Sequence, residues 1–121
     1  MRFCMMLVLG MGIAGGSAQA AQPIMLQART AGDLAALCAA DPTSTAADAK
    51  INFCLGFAQG AADGRLYVSA DKKPFCFTGG TKRFDTMREF VSWVRAAPSN
   101  KDLPVLDGLF KFFGERFPCK P

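Results

Sequence analysis

The residues here whose type and spacing point to chemistry are the cysteines: Cys4, Cys38, Cys54, Cys76 and Cys119. No two stand as Cys-x-x-Cys and the chain has no histidine, so zinc ligation and thiol-redox catalysis lack their usual ligands and spacing. The missing imidazole also removes the Ser-His and Cys-His nucleophile pairs. Disulfide formation is what remains. Cys4 falls in the N-terminal segment, and the four others make an even set, which in a small exported chain is a cross-linking framework far more often than a metal site.

The carboxylates offer little more. Asp33, Asp48, Asp85 and Asp102 stand near expected helix starts, where negative charge favours the helix dipole. Glu89 and Glu115 are the long-reach acids, and neither has an evident carboxylate partner for a lysozyme-like hydrolysis. Asp63 differs in lying mid-helix between Gly60 and Gly64, where it serves as a solvated carboxylate or faces a loop or partner. No catalytic, cofactor-binding or metal-binding residue is expected, and the chain does not read as an enzyme.

Disulfides need an oxidising compartment, and the N-terminus supplies a route to one. Arg2 is followed by the apolar run from Phe3 to Ala14, then Gly15, Gly16 and Ser17, ending in Ala18-Gln19-Ala20. This is the charged, apolar and small-residue order of a secretory signal peptide, with cleavage expected after Ala20. The run is short and broken by glycines, which disfavours a retained spanning helix. Cys4 leaves with the signal, and the rest is expected to be periplasmic, with no membrane attachment after cleavage. Residues 21–29 read as a flexible lead-in and residues 30–121 as one domain.

Four cysteines permit three pairings, all open from sequence alone. Cys38–Cys54 with Cys76–Cys119 is preferred, because Cys38 near the end of one helix and Cys54 early in the next meet across an antiparallel hairpin. The second bond would then tie the C-terminus to the middle of the chain.

The elements that place these cysteines are helical. Thr30-Ala-Gly-Asp33 is a capping-box start for a helix to about Ala40, with Leu34, Leu37 and Cys38 on one face. Thr45-Ala-Ala-Asp48 repeats the signal for a longer helix with Ile51, Leu55, Ala58, Ala62 and Leu66 on one face. Cys54, Phe57, Ala61 and Val68 fall on or beside a second face, so this helix is expected at the centre of the bundle. Gly56 and Gly60 lower its propensity by about 1 kcal/mol each, as though another element approached closely.

An irregular stretch follows, bounded by Asp71-Lys72-Lys73-Pro74 and Gly79-Gly80 and pinned by Phe75 and Phe77. A third helix starts near Thr81 or Phe84, with Phe84, Met87, Val91 and Val94 buried. Ser99-Asn-Lys-Asp102 opens a last helix that admits Pro104 only in its first turn, with Leu103, Leu106, Phe110, Phe113 and Phe117 as its stripe. Phe112 exceeds what that face buries, and Trp93 reads as core or bundle edge. With no strand alternation, the expected fold is all-α: a small four-helix bundle stapled by two disulfides.

The formal net charge of +4 drops by one with Arg2, and no Lys/Arg run suggests nucleic-acid binding. Lys72, Lys73, Lys82, Arg83 and Arg88 do gather around the Cys76 loop. As a partner-binding surface, Lys72, Lys73, Lys82 and Arg83 with Phe75 and Phe77 would form a basic rim suited to an acidic partner. The same charges also suit a solvated loop.

Taken in order, Thr30…Asp33-Leu34…Cys38, Cys54-Leu-Gly56-Phe57-Ala-Gln-Gly60-Ala-Ala-Asp63, Phe75-Cys76 and Phe117-Pro118-Cys119 resemble the Rap/Tai immunity family. The Cys-x-Gly-aromatic-x-x-Gly-x-x-Asp run is its most specific part, so Gly56, Phe57, Gly60 and Asp63 read as scaffold. The sequence departs at Phe77-Thr78-Gly79-Gly80, where the family usually has a proline soon after the third cysteine. The resemblance implies a helical, disulfide-bonded periplasmic domain that neutralises a peptidoglycan amidase toxin delivered by type VI secretion. It carries over no toxin-contacting residue. The expected partner is therefore a cell-wall amidase effector, with a homodimer left open. The alternative is a small periplasmic acid-stress chaperone, which ten carboxylates and no histidine equip poorly for a sharp pH switch.

Overall fold

The computed structural model describes residues 15–16 and 26–121. The signal-peptide reading, apart from Gly15 and Gly16, lies outside the described residues, as do Cys4, the Ala20 cleavage point and residues 21–25 of the lead-in. Among the described residues five helices occur: α1 (Ala31–Cys38), α2 (Ala47–Val68), α3 (Arg83–Ala96), α4 (Pro98–Lys101) and α5 (Val105–Arg116). The four long ones match the expected bundle, and α4 is a single added turn.

The first start signal forms as written. Thr30 Oγ1 accepts from the Asp33 N–H at 3.1 Å, and Asp33 Oδ2 accepts from the N–H groups of Thr30 and Arg29 at 3.0 Å each. Such a cap contributes about 1 kcal/mol. The same segment is held to the far end of the chain. Ala31 N–H donates to the Leu103 carbonyl and Val105 N–H to that of Arg29, both at 2.9 Å, around an isolated Thr30–Pro104 bridge. The end of the lead-in is therefore fixed at Arg29.

The second start signal is not used. Ala46, in a left-handed conformation with φ 59° and ψ 29°, precedes α2 without a side-chain cap. Asp41 instead organises the entry, its Oδ1 accepting from both the N–H and the hydroxyl of Thr43 at 2.8 Å. That turn closes before Thr45 and leaves the Thr45 hydroxyl no capping role.

The last helix also starts later than expected. Pro104 stands just ahead of α5, and Ser99–Asp102 belongs to α4 and the turn after it. The residue before a proline is pushed out of the helical region, so the chain breaks at Leu103 instead of running through. With the later start, Leu109, Phe112 and Phe113 turn inward and Leu106 outward. Phe112 is thus core. On α3, Met87, Phe90, Val91 and Val94 are buried, and Phe84 is half exposed.

The bundle centres on α1, not α2. Short as it is, α1 packs against every other helix, with Ala31 and Leu34 wholly buried. α2 packs on α1, α3 and α5 through Cys54, Ala58 and Ala62. Its outer face, with Gly56, Gly60, Asp63, Gly64 and Tyr67, is exposed.

An aromatic cluster joins α3 and α5, with Phe90 edge-on to Phe112 at 5.5 Å and Trp93 5.8 Å from Phe112. Aromatic pairs of this kind add about 0.5–1.5 kcal/mol beyond their burial. The disulfides are Cys38–Cys54 and Cys76–Cys119, the favoured pairing, spanning 16 and 43 residues. By restricting the unfolded chain they contribute about 3 and 4 kcal/mol in the loop-entropy picture.

Candidate functional site

The long-reach acids are occupied in tying α3 to α5. Glu115 Oε2 accepts from the Trp93 indole N–H at 2.7 Å, and Glu89 pairs with Arg116. Both members of the second pair are about half exposed, so solvent screens their attraction. The Glu89 carboxylate raises the Arg116 guanidinium above its usual range by hydrogen bonding and charge.

Asp33 and Asp41 are the carboxyls held below their ordinary range. For Asp33 the main cause is the N–H bond from Thr30, then that from Arg29; for Asp41 it is the N–H of Thr43, then its hydroxyl. Both serve a turn or a cap. Among the described residues, no three His, Cys, Asp or Glu side chains converge as a metal site would require.

One shaped surface lies between α2, the loop 69–82 and α3. A groove of about 220 Å³ has an apolar floor of Leu55, Ala58, Ala62, Met87 and Phe113. Phe77, Thr78 and Thr81 form its wall, and Gln59, Asp63 and Arg83 its polar mouth. Arg83 donates to the Gln59 side-chain oxygen, which spans the mouth from α3 to α2. The mid-helix Asp63 thus reaches a recess bounded by three elements.

Beside the groove, α2 ends in a largely exposed turn. Tyr67 and Val68 are 85% and 72% exposed, and Lys72 and Lys73 follow in the loop, both exposed. At about 1.5 Å per residue, the 22 residues of α2 make a longer rod than the 14 of α3 or the 12 of α5.

The sequence-derived surface residues do not all belong to this face. Lys72, Lys73, Lys82 and Arg83 are exposed, and Phe77 is partly so. Phe75 is fully buried, its ring 5.2 Å from Phe113 and 6.2 Å from Phe110. It is a core anchor and cannot contact a partner. Arg88 lies one helical turn further on, beside Asp85 and Glu89.

Of the scaffold residues, Phe57 stacks on Phe53 at 5.7 Å, whereas Gly56 and Gly60 face open space. Among the described residues, the close approach expected at those glycines does not occur. Sequence reasoning did not single out Tyr67, although an expected second helix longer than its neighbours was a signal for an overhanging end.

The helical, disulfide-stapled domain thus presents an apolar-floored groove and, at the end of α2, an exposed aromatic side chain. The chain matches the Rap1a immunity proteins over residues 30–119 and belongs to that family. No curated protein and no solved structure matches it. Family membership assigns it a role in toxin immunity, with a protein toxin as partner.

Proposed function

We propose that this protein is exported to the periplasm, where it binds a peptidoglycan amidase toxin of type VI secretion and covers its cleft. The observation that carries the reading is the joined tip and groove: Tyr67 and Val68 project while the neighbouring recess receives. A buried aromatic anchor surrounded by polar contacts is how small interfaces concentrate affinity. The basic residues Lys72, Lys73, Lys82 and Arg83 along loop 69–82 and the start of α3 favour an acidic partner surface.

The periplasmic address is supported by the signal-like first twenty residues and by the two disulfides, which persist in oxidising compartments. Inhibition by occlusion needs no chemistry from the inhibitor.

The test is to purify the protein with the amidase encoded beside it and measure peptidoglycan hydrolysis. The expected result is a stable complex and loss of hydrolysis at stoichiometric ratio. Full hydrolysis with no complex would overturn the reading.

A further inference from the structure

The two disulfides are placed differently, and the difference bears on the groove. In the first bond Cys38 is partly exposed but Cys54 is almost wholly buried among the core residues, whereas in the second Cys76 and Cys119 are both partly exposed. Loop 69–82 contains no helix. Its own backbone bonds are short-range, Lys72 N–H to the Ser69 carbonyl and Thr81 N–H to that of Thr78.

The groove wall is held from two sides, by α5, whose Phe113 ring lies 5.3 Å from that of Phe77, and by the C-terminal tail. Cys76 N–H donates to the Phe117 carbonyl at 2.8 Å beside the Cys76–Cys119 bond, and the Phe77 ring lies 5.0 Å from that of Phe117. Phe75 anchors the loop in the core on one side of Cys76, and Phe77–Thr81 form the wall on the other.

We propose that the Cys76–Cys119 disulfide is a redox-sensitive clamp that assembles the groove, so that opening this one bond frees residues 76–82 and 117–121 while the helical core stays folded. A thiolate of a dithiol reductant attacks one sulfur of the pair, forms a mixed disulfide and expels the other sulfur as a thiolate. The reductant's second thiol then closes its own disulfide. Two electrons pass to the protein, and Cys76 and Cys119 become thiols.

At this bond the expelled sulfur emerges near water. Lys72, Lys73 and Lys120 flank it in sequence, and positive charge favours both an incoming and a departing thiolate. At Cys38–Cys54, attack on Cys38 would expel a thiolate into the buried Cys54 position, and Cys54 itself is shielded from attack.

Resting on the reading of this groove as the toxin-docking surface, the clamp makes binding competence depend on oxidation. A chain still in a reducing compartment would lack the finished surface, and the surface would form where its cysteines are oxidised.

The experiment takes the oxidised protein and exposes it to dithiothreitol, with quenching by an alkylating reagent and mapping of labelled cysteines by mass spectrometry. Hydrogen exchange over 76–82 and far-ultraviolet circular dichroism are read on the same samples. Cys76 and Cys119 are expected to label at least about ten-fold faster than Cys38 and Cys54, with amide protection lost at Cys76 and Thr81 and the helical signal retained.

Simultaneous opening of both bonds, retained protection after Cys76 and Cys119 are alkylated, or loss of helix at that stage would each overturn the clamp. The Cys76→Ser, Cys119→Ser double variant provides the same comparison without reductant, and its failure to fold would also overturn it. Amidase affinity measured in parallel separates the two readings. No binding by the oxidised protein counts against the proposed function alone, and binding unchanged after the bond opens counts against the clamp.

Discussion

Gly108 of α5 lies so close to Ala31 of α1 that a Cβ at position 108 would stand 2.6 Å from the Ala31 methyl carbon. Ala31 is itself wholly buried and bonded to Leu103, so neither side has room to yield. Gly108→Ala is therefore expected to cost about 1–3 kcal/mol by overpacking. Gly60→Ala, with nothing within 4 Å, is expected to gain about 1 kcal/mol from helix propensity. Urea denaturation of both variants checks the opposite signs.

Ala46 holds a left-handed conformation, at φ 59°, that costs a residue with a Cβ about 1–2 kcal/mol. Ala46→Gly relieves this and pays some of it back in unfolded-chain entropy, for an expected net gain of about 0.5–1 kcal/mol. The denaturation midpoint should rise with its slope unchanged.

Acid stability should depend on the cap at α1 and the turn before α2. Asp33 and Asp41 titrate below the ordinary 3.8 in the folded chain. Their contribution is therefore complete above the unfolded value and is lost as pH falls through the lower folded one. The melting temperature is expected to be nearly flat from about pH 5 to 8, since no histidine titrates there, and to fall below about pH 4. Asp33→Asn should lower it at neutral pH and flatten the acid limb. Dye binding that rises sharply between about pH 5 and 6 would instead favour an acid-triggered chaperone.

The tip should separate binding from folding. Tyr67→Ala is expected to leave stability within about 0.5 kcal/mol, because the residue is 85% exposed. Amidase affinity should fall by about 2 kcal/mol or more, roughly thirty-fold. Calorimetric titration with the toxin measures the second quantity, and thermal melting the first.

Much of the scaffold was legible because it follows local rules. The Thr30–Asp33 capping box, the apolar period of α3 and the antiparallel placing of Cys38 and Cys54 depend on residues a few positions apart. What was not legible depended on competition between neighbours. Asp41 took the turn that Thr45 was expected to cap, and Pro104 ended one helix and began another. At the candidate site, the basic residues were read as surface, but Phe75 and Phe77 looked alike in sequence. Only packing against Phe110 and Phe113 makes the first an anchor and leaves the second as a wall.

The chain's single tryptophan sits in the α3–α5 seam, stacked on Phe90 at 6.0 Å and bonded to Glu115, and it does not line the groove. Its emission therefore reports on the bundle interior and is blind to the wall beside Cys76. A fluorescence melt and a thiol-accessibility profile recorded together would follow two different events in one molecule without any added label.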